Sequence, residues 1–364
     1  MKSGLVRFSV SQNEGDQSTM RSFKAPQLSS IIGDRQIDRR TVLAALVAAG
    51  VSVTIVGTST YASGASSSTR TSNPRSGHTN RAASPLPPPS DLTPFLSPEL
   101  KGEGVWKPAG RLVQGYEAIH TAFIRPLDTP TVVAGVAWMD TNLLSARLYS
   151  GSLSPGGLTW KFTAPISHSA AKNLVAAFNG GFLLKVSNGG YFSEGQMVAP
   201  LLTGRASIVI YADGFATVGM WGRDVTMTPS VVAVRQNLTL LVDHGRPVPG
   251  LQRYDVTTWG ASLNGIVDTP RSGLGVTNNG ALVYVEGPMN IIDLARILVR
   301  AGAVRAMVLD MNPAWPIFAT YTPSTPEGLA TPANGKDLTP SMVPTPARFF
   351  ETAYARDFIT MSSI

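Results

Sequence analysis

The chain has 364 residues and a mass of 38.5 kDa; 43% are hydrophobic and only 15% charged, which allows a sizeable core and excludes a wholly disordered protein. Cysteine is absent, so a disulfide framework, a thiolate metal site and a cysteine nucleophile are excluded. Of the net charge of +7, +5 falls in residues 1–95 and only +2 in the rest, so the globular part lacks the electrostatic footprint of a nucleic-acid binder.

Residues 1–40 form a polar tail of mixed charge that ends in Asp38-Arg39-Arg40. An apolar run follows at 41–57, with no charge until Arg70. As a helix it spans about 25 Å, near the lower limit for crossing a bilayer. Basic residues before the run suit a membrane anchor with its N-terminus inside. They equally suit an export signal, with small residues such as Ala62-Ser63-Gly64 beyond the apolar stretch. The Arg39-Arg40 pair resembles a twin-arginine signal. A buried helix of the folded domain is the third reading, and its neighbour argues against it. Residues 58–94 are rich in Ser, Thr, Pro and Gly and read as a disordered, solvated spacer. The layout predicts an extracytoplasmic domain, membrane-anchored or secreted, over residues 95–364.

From about Phe95 the composition turns globular. Strand-like runs recur at Thr131–Met139, Ala206–Tyr211, Val231–Val234, Leu238–Val242, Gly273–Thr277 and Ala281–Glu286. Asp213-Gly214 and Asn279-Gly280 each separate two such runs, and Asp243-His244-Gly245 follows a third; these residues favour the φ > 0 conformations of tight hairpins. One helix is well signalled. Asn290 can cap it, Asp293 sits near its positive end, Gly302 can close it, and Ile291, Leu294, Ala295 and Leu298 form a core-facing stripe. A strand at Ala306–Leu309 then delivers Asp310 to its C-terminal end. Repeated Thr-Pro marks 320–346 as a loop or surface arm, and Tyr354–Met361 reads as an edge strand. The fold class predicted is α+β, with a mixed, largely antiparallel sheet and few helices.

Three clusters can carry chemistry. Asn179-Gly180-Gly181-Phe182 and Asn188-Gly189-Gly190-Tyr191 join amide side chains and flanking aromatics to glycines that permit close backbone approach; two plain turns are the alternative. Arg271-Ser272-Gly273-Leu274-Gly275 enters a strand with a guanidinium suited to carboxylate or phosphate, or simply exposed at a strand end. Asp310-Met311-Asn312 puts an acid at the end of an apolar strand, where catalytic groups and turn residues both occur. Glu194 and Glu286 are candidates for a second carboxylate. His120, His168 and His244 show no metal-ligand spacing, and no P-loop, nucleophile elbow or dinucleotide fingerprint is present. Neither a metal nor a cofactor is expected.

In order, these segments resemble the phosphodiester glycosidase family, which includes the lysosomal enzyme that uncovers mannose 6-phosphate and many bacterial exported proteins. The likeness runs over roughly residues 115–320: the Asn179-Gly180-Gly181-Phe182 segment, the Arg271 strand and its hairpin, the helix at Ile291–Ala301, and the strand ending in Asp310. It implies hydrolysis of a glycosidic bond such as that of a sugar 1-phosphodiester, with a phosphorylated glycan or glycoconjugate as substrate. On this reading Asp310, Arg271 and Asn179 are catalytic, with Glu194 as reserve acid or base. Gly180, Gly181, Phe182, Asn188, Tyr191 and Asn312 bind substrate, the two glycines by bringing backbone to the phosphate. Family members usually carry glycines after the Asp; this chain has Met311-Asn312-Pro313-Ala314-Trp315. Either the substrate differs or hydrolysis is lost, leaving a non-catalytic module that binds a phosphorylated glycan or cell-wall polymer.

Overall fold

Turn chemistry cuts this chain into short strands, and the computed structural model describes them over residues 84–157, 159–261, 265–325 and 327–364. The tail, the apolar run at 41–57 and the spacer as far as residue 83 lie outside the described residues. Among the described residues no helix is long and apolar enough to cross a membrane.

In chain order the first strands are Lys107–Pro108 (β1), Ile119–Ile124 (β2), Ala134–Met139 (β3) and Leu144–Tyr149 (β4). A helical turn at His168–Ala171 (α1), capped by the Ser167 side chain, leads into Leu174–Asn179 (β5). Then come Tyr191–Ser193 (β6), Gln196–Ala199 (β7), Ala206–Tyr211 (β8), Ala216–Met220 (β9), Val231–Gln236 (β10), Leu240–Asp243 (β11) and Arg246–Pro247 (β12). A second helical turn, Val256–Trp259 (α2), precedes the long hairpin of Thr269–Thr277 (β13) and Leu282–Met289 (β14). The helix Ile291–Arg300 (α3) is followed by Ala303–Val308 (β15), Phe318–Tyr321 (β16), Gly335–Asp337 (β17) and Phe358–Ser363 (β18).

The three predicted turns close as their residues require. Gly214 (φ 79°) and Gly280 (φ 92°) occupy left-handed conformations at the β8–β9 and β13–β14 turns, and Gly245 (φ 72°) does so between β11 and β12. The strands form three sheets, ordered β1-β2-β3-β14-β13-β15-β11-β12, β7-β6-β10-β8-β9 and β17-β16-β5-β18-β4. Their pairings are antiparallel, so the α+β class with few helices holds.

Strand alternation separates two cores across β13. Leu274 points with Tyr284, Phe178 and Phe318 into one apolar cluster, while the opposite face of the sheet meets α3 through Leu294 and Leu298. Gly273 lies on the helix side, where a Cβ would stand 3.0 Å from Leu298 Cδ1; the glycine lets α3 seat closely. Asn290 caps α3 by accepting the Asp293 N–H, as its sequence predicts.

Three expectations change. Residues 84–94, assigned to the spacer, lie on the domain: Leu92 is 5% exposed and donates its N–H to Gly104 O, and the Leu86 N–H reaches Asp140 Oδ2 at 2.8 Å. Residues 320–346 are largely loop, but β16 and β17 at Phe318–Tyr321 and Gly335–Asp337 pair and tie the segment to a sheet, so it is no detached surface arm. The last strand, β18, is interior, flanked by β5 and β4.

Candidate active site

Asn179 ends β5 directly above the Phe178, Tyr284 and Phe318 rings. Its side chain spends all four hydrogen-bonding positions within the protein. Oδ1 accepts from Tyr284 Oη (2.7 Å) and Ile317 N (3.1 Å), and Nδ2 donates to Gly180 O (2.8 Å) and Ser272 Oγ (3.0 Å). Ser272 Oγ also accepts the Asp310 N–H at 3.3 Å, and the Ser272 backbone pairs with Leu309 and Asp310. One serine hydroxyl therefore joins the first candidate cluster to the third.

Asp310 is 1% exposed. Oδ1 accepts from the N–H groups of Met311 (2.8 Å) and Asn312 (2.9 Å), and Oδ2 accepts from Arg356 Nη2. Burial pushes its carboxyl up to about 6, although Arg356 and the two amides favour the charged form. Arg356 Nη2 also donates to Gly181 O at 2.9 Å, which ties the glycine segment to the acid. Behind it lies a second ion pair, Arg235 Nε to Asp357 Oδ2 at 2.8 Å, with both side chains buried.

This pair explains Gly180 and Gly181. A Cβ on Gly180 would fall 2.1 Å from Asp357 Oδ2, and one on Gly181 would fall 2.9 Å from Arg235 Cζ. The close approach that glycine permits here is to the protein's own ions. Phe182 donates its N–H to Asn237 and packs its ring against Gly260, in one apolar cluster with Trp259 and Met311. Tyr191 is buried with its hydroxyl 2.8 Å from Ser150 Oγ and its ring facing Arg235, so it supports the ion pair from within the core.

Arg271 stands on the other face of β13 from Ser272 and is 5% exposed. Its guanidinium donates to Met289 O (2.9 Å) and Val267 O (3.0 Å) and touches Met311 Sδ at 3.4 Å. It has no ion pair among the described residues, and burial pulls it down to about 10. It forms part of the wall of a cavity of about 240 Å³ together with Tyr254, Trp259, Val267 and Ile291. Met311, where the family usually carries a glycine, thus caps Arg271, and the Trp315 ring lies 4.8 Å from Arg356 Cζ. Asn312 turns inward on its own loop, with Oδ1 accepting from Ala314 N.

Glu194 and Asn188 are not brought to Asp310. Glu194 lies in the β6–β7 turn and accepts the Lys161 and Phe162 N–H groups, each at 2.9 Å, at the edge of a separate cavity of about 260 Å³. Asn188 is exposed in the turn before β6, with φ of 48°. Four participants were not singled out in the sequence: Ser272's hydroxyl, Arg235, Arg356 and Asp357. Glu286, weighed only as a spare carboxylate, is fully buried beneath Asn179. Its Oε2 lies 3.1 Å from Tyr284 Oη, whose one proton goes to Asn179, so the protonated acid donates there; its Oε1 accepts from Thr339 Oγ1 (3.0 Å), and burial lifts it to about 8.

No curated protein matches this chain. Among solved structures, it is similar to the zebrafish N-acetylglucosamine-1-phosphodiester alpha-N-acetylglucosaminidase catalytic domain, auto-inhibited by its pro-peptide, at 16% identity and a TM-score of 0.44, covering 71% of this chain and 87% of that one. It is also similar to a hypothetical protein from Synechocystis (13% identity, TM-score 0.38, 71% and 64% covered) and to a protein from Burkholderia pseudomallei described as exported (12%, 0.33, 64% and 74%). The phosphodiester glycosidase family matches residues 172–310, a narrower span than the motifs suggested, ending on Asp310 itself. Over that span, from Lys172 to Asp310, the chain is similar to the phosphodiester glycosidase family.

Proposed function

We propose that this protein is an exported or membrane-tethered hydrolase of glycosidic bonds acting on a sugar 1-phosphodiester of a glycan or glycoconjugate. The observation that carries the reading is Asp310, a buried carboxylate at the end of a rigid strand, raised to about 6 and clamped by Arg356 and two backbone amides. Hydrolysis at an anomeric carbon passes through an oxocarbenium-like transition state. Ionised Asp310 stabilises that positive charge or takes a proton from the attacking water. A phosphodiester leaves already as an anion, so it needs a cation more than an acid. Arg271, with no ion pair among the described residues and open to an aromatic-walled cavity, is that cation. Substrate entry requires Met311 to swing off the guanidinium, which its unbranched side chain permits. Asn179 holds Asp310 in place through Ser272 rather than touching the sugar. Residues 41–57 serve as export signal or anchor, with the segment after them as a spacer.

A non-catalytic module that binds a phosphorylated glycan or cell-wall polymer is the second reading. It is favoured by the filling of the loop after Asp310 by Met311 and Trp315. One experiment separates the two: purified protein incubated with a panel of sugar 1-phosphodiesters and assayed for free reducing sugar. Release by the native protein but not by Asp310→Asn supports the hydrolase. Binding of the panel without release supports the module.

A further inference from the structure

Among the described residues, Arg271 is the only charged side chain in the wall of its cavity. Backbone carbonyls take two of its five N–H groups, and the Met311 thioether lies beside Nη1. Asp268 adds a negative potential without pairing with it, and its Oδ1 accepts from Thr129 Oγ1 at 3.0 Å. The rest of the wall is largely apolar. Trp259 and Ile291 are buried in it, whereas Tyr254, Val256 and Val267 are 42%, 58% and 42% exposed. Three of the large apolar side chains that the molecule leaves in water thus border one cavity, and exposed Ile266 adjoins Val267 in the chain. Single exposed apolar residues need no explanation, but several gathered at one cavity mark a binding surface. No carboxylate or amide side chain stands in the wall among the described residues, so it offers little to the hydroxyls of a sugar.

A buried cation in an apolar wall matches an anion that carries an apolar chain: the guanidinium takes the phosphate, and the chain covers the aromatic and aliphatic side chains. At about 240 Å³ the cavity falls below the about 300–1,000 Å³ that encloses a drug-sized ligand. It therefore holds the phosphate and the first few carbons, and a longer chain runs out over Tyr254, Val256 and Val267. We propose that the alcohol on the far side of the phosphate is an apolar chain, which makes the substrate a glycolipid phosphodiester rather than two sugars joined through phosphate. The assignment rests on the phosphodiester reading of Arg271. In hydrolysis the hydroxyl of water bonds to the anomeric carbon and the C1–O electron pair leaves with the phosphate. The other proton of the water ends on the phosphate or in solvent, so the products are a reducing sugar and an alkyl phosphate.

The test is calorimetric titration of the full chain with inorganic phosphate, methyl phosphate and butyl phosphate. Each methylene taken fully out of water tightens binding about fourfold, so butyl phosphate should bind about tenfold or more tightly than methyl phosphate even with carbons left partly in water. Val256→Ser, at an exposed position, should melt as the native protein does and cut the preference for butyl about threefold. Arg271→Gln should weaken all three phosphates about tenfold or more. In parallel, a sugar 1-(butyl phosphate) should show a KM about tenfold below that of the methyl ester. No binding of any phosphate, equal affinity for the methyl and butyl esters, or a butyl preference untouched by Val256→Ser would overturn the assignment, even where both sugar esters are cleaved. The predicted butyl preference with neither sugar ester cleaved supports the apolar-chain site and removes the hydrolase reading instead.

Discussion

Two buried carboxylates near Asn179 titrate far above the ordinary carboxylate range, and they make opposite predictions. Asp310 must ionise to act. With its carboxyl at about 6, turnover should rise as pH climbs through 6 and level off above it, a limb that a kcat–pH profile reads directly. Asp310→Asn keeps size and the two backbone hydrogen bonds but leaves Arg356 without its carboxylate, so some stability is lost; in the protein that still folds, kcat should fall about a hundredfold or more. Glu286 acts by staying neutral. Burial, with a lesser push from Asp337, holds it at about 8 against the hydrogen bonds with Thr339 and Tyr284. The folded state then binds a proton that the unfolded chain releases near the ordinary glutamate value of 4.5. Its stabilising effect is therefore complete below that value and is lost as pH rises toward 8, at up to about 1.4 kcal/mol per pH unit. Gln copies the protonated acid, donating to Tyr284 and accepting from Thr339. Denaturant unfolding at pH 5, 6.5 and 8 should show the native protein weakening relative to Glu286→Gln across that window. Parallel curves for the two would contradict the protonated state.

At the scale of elements, what the sequence reveals depends on how local the determinants are. The hairpins at Gly214 and Gly280, the cap of α3 and the strand delivering Asp310 were all readable, because each is written within about ten residues. The partners of Arg356 and Asp357 were not. Asp357 pairs with Arg235 across 122 residues, and Arg356 reaches Gly181 across 175, from an irregular stretch with no periodicity to read. The same non-locality hid β18 as an interior strand, since its neighbours β4 and β5 come from the far end of the fold. It also bears on Gly180 and Gly181: the sequence shows that something comes close, and the fold shows that an ion pair does. Gly180→Ala should accordingly cost about 3 kcal/mol or more, because the methyl meets the Asp357 carboxylate in a core with no slack. A melting temperature unchanged in Gly180→Ala would contradict this packing. Met311 makes the converse case. Met311→Gly should uncover Arg271 and raise kcat/KM on a sugar phosphodiester several-fold if the side chain is the obstacle, which steady-state kinetics would show.

At the scale of the whole molecule, the domain begins earlier than its composition suggests. The Ser- and Pro-rich character of 58–94 hides Leu92, whose side chain is buried, and Ser90, whose carbonyl accepts from the Trp106 indole at 2.9 Å. A chain starting at Ser84 should be more stable than one starting at Phe95 by about 2 kcal/mol or more, from Leu92 burial and the lost hydrogen bonds, measured by urea unfolding. Limited proteolysis of the full chain should leave a resistant fragment whose N-terminus lies upstream of Leu92. The central claim concerns chemistry, and the most direct measurement is release of reducing sugar from a panel of sugar 1-phosphodiesters by the native protein and by Asp310→Asn. Release should rise through pH 6 and fall about a hundredfold or more in the folded variant. A folded Asp310→Asn protein that cleaves at the native rate would contradict it, as would a native protein that binds the panel and cleaves none of it.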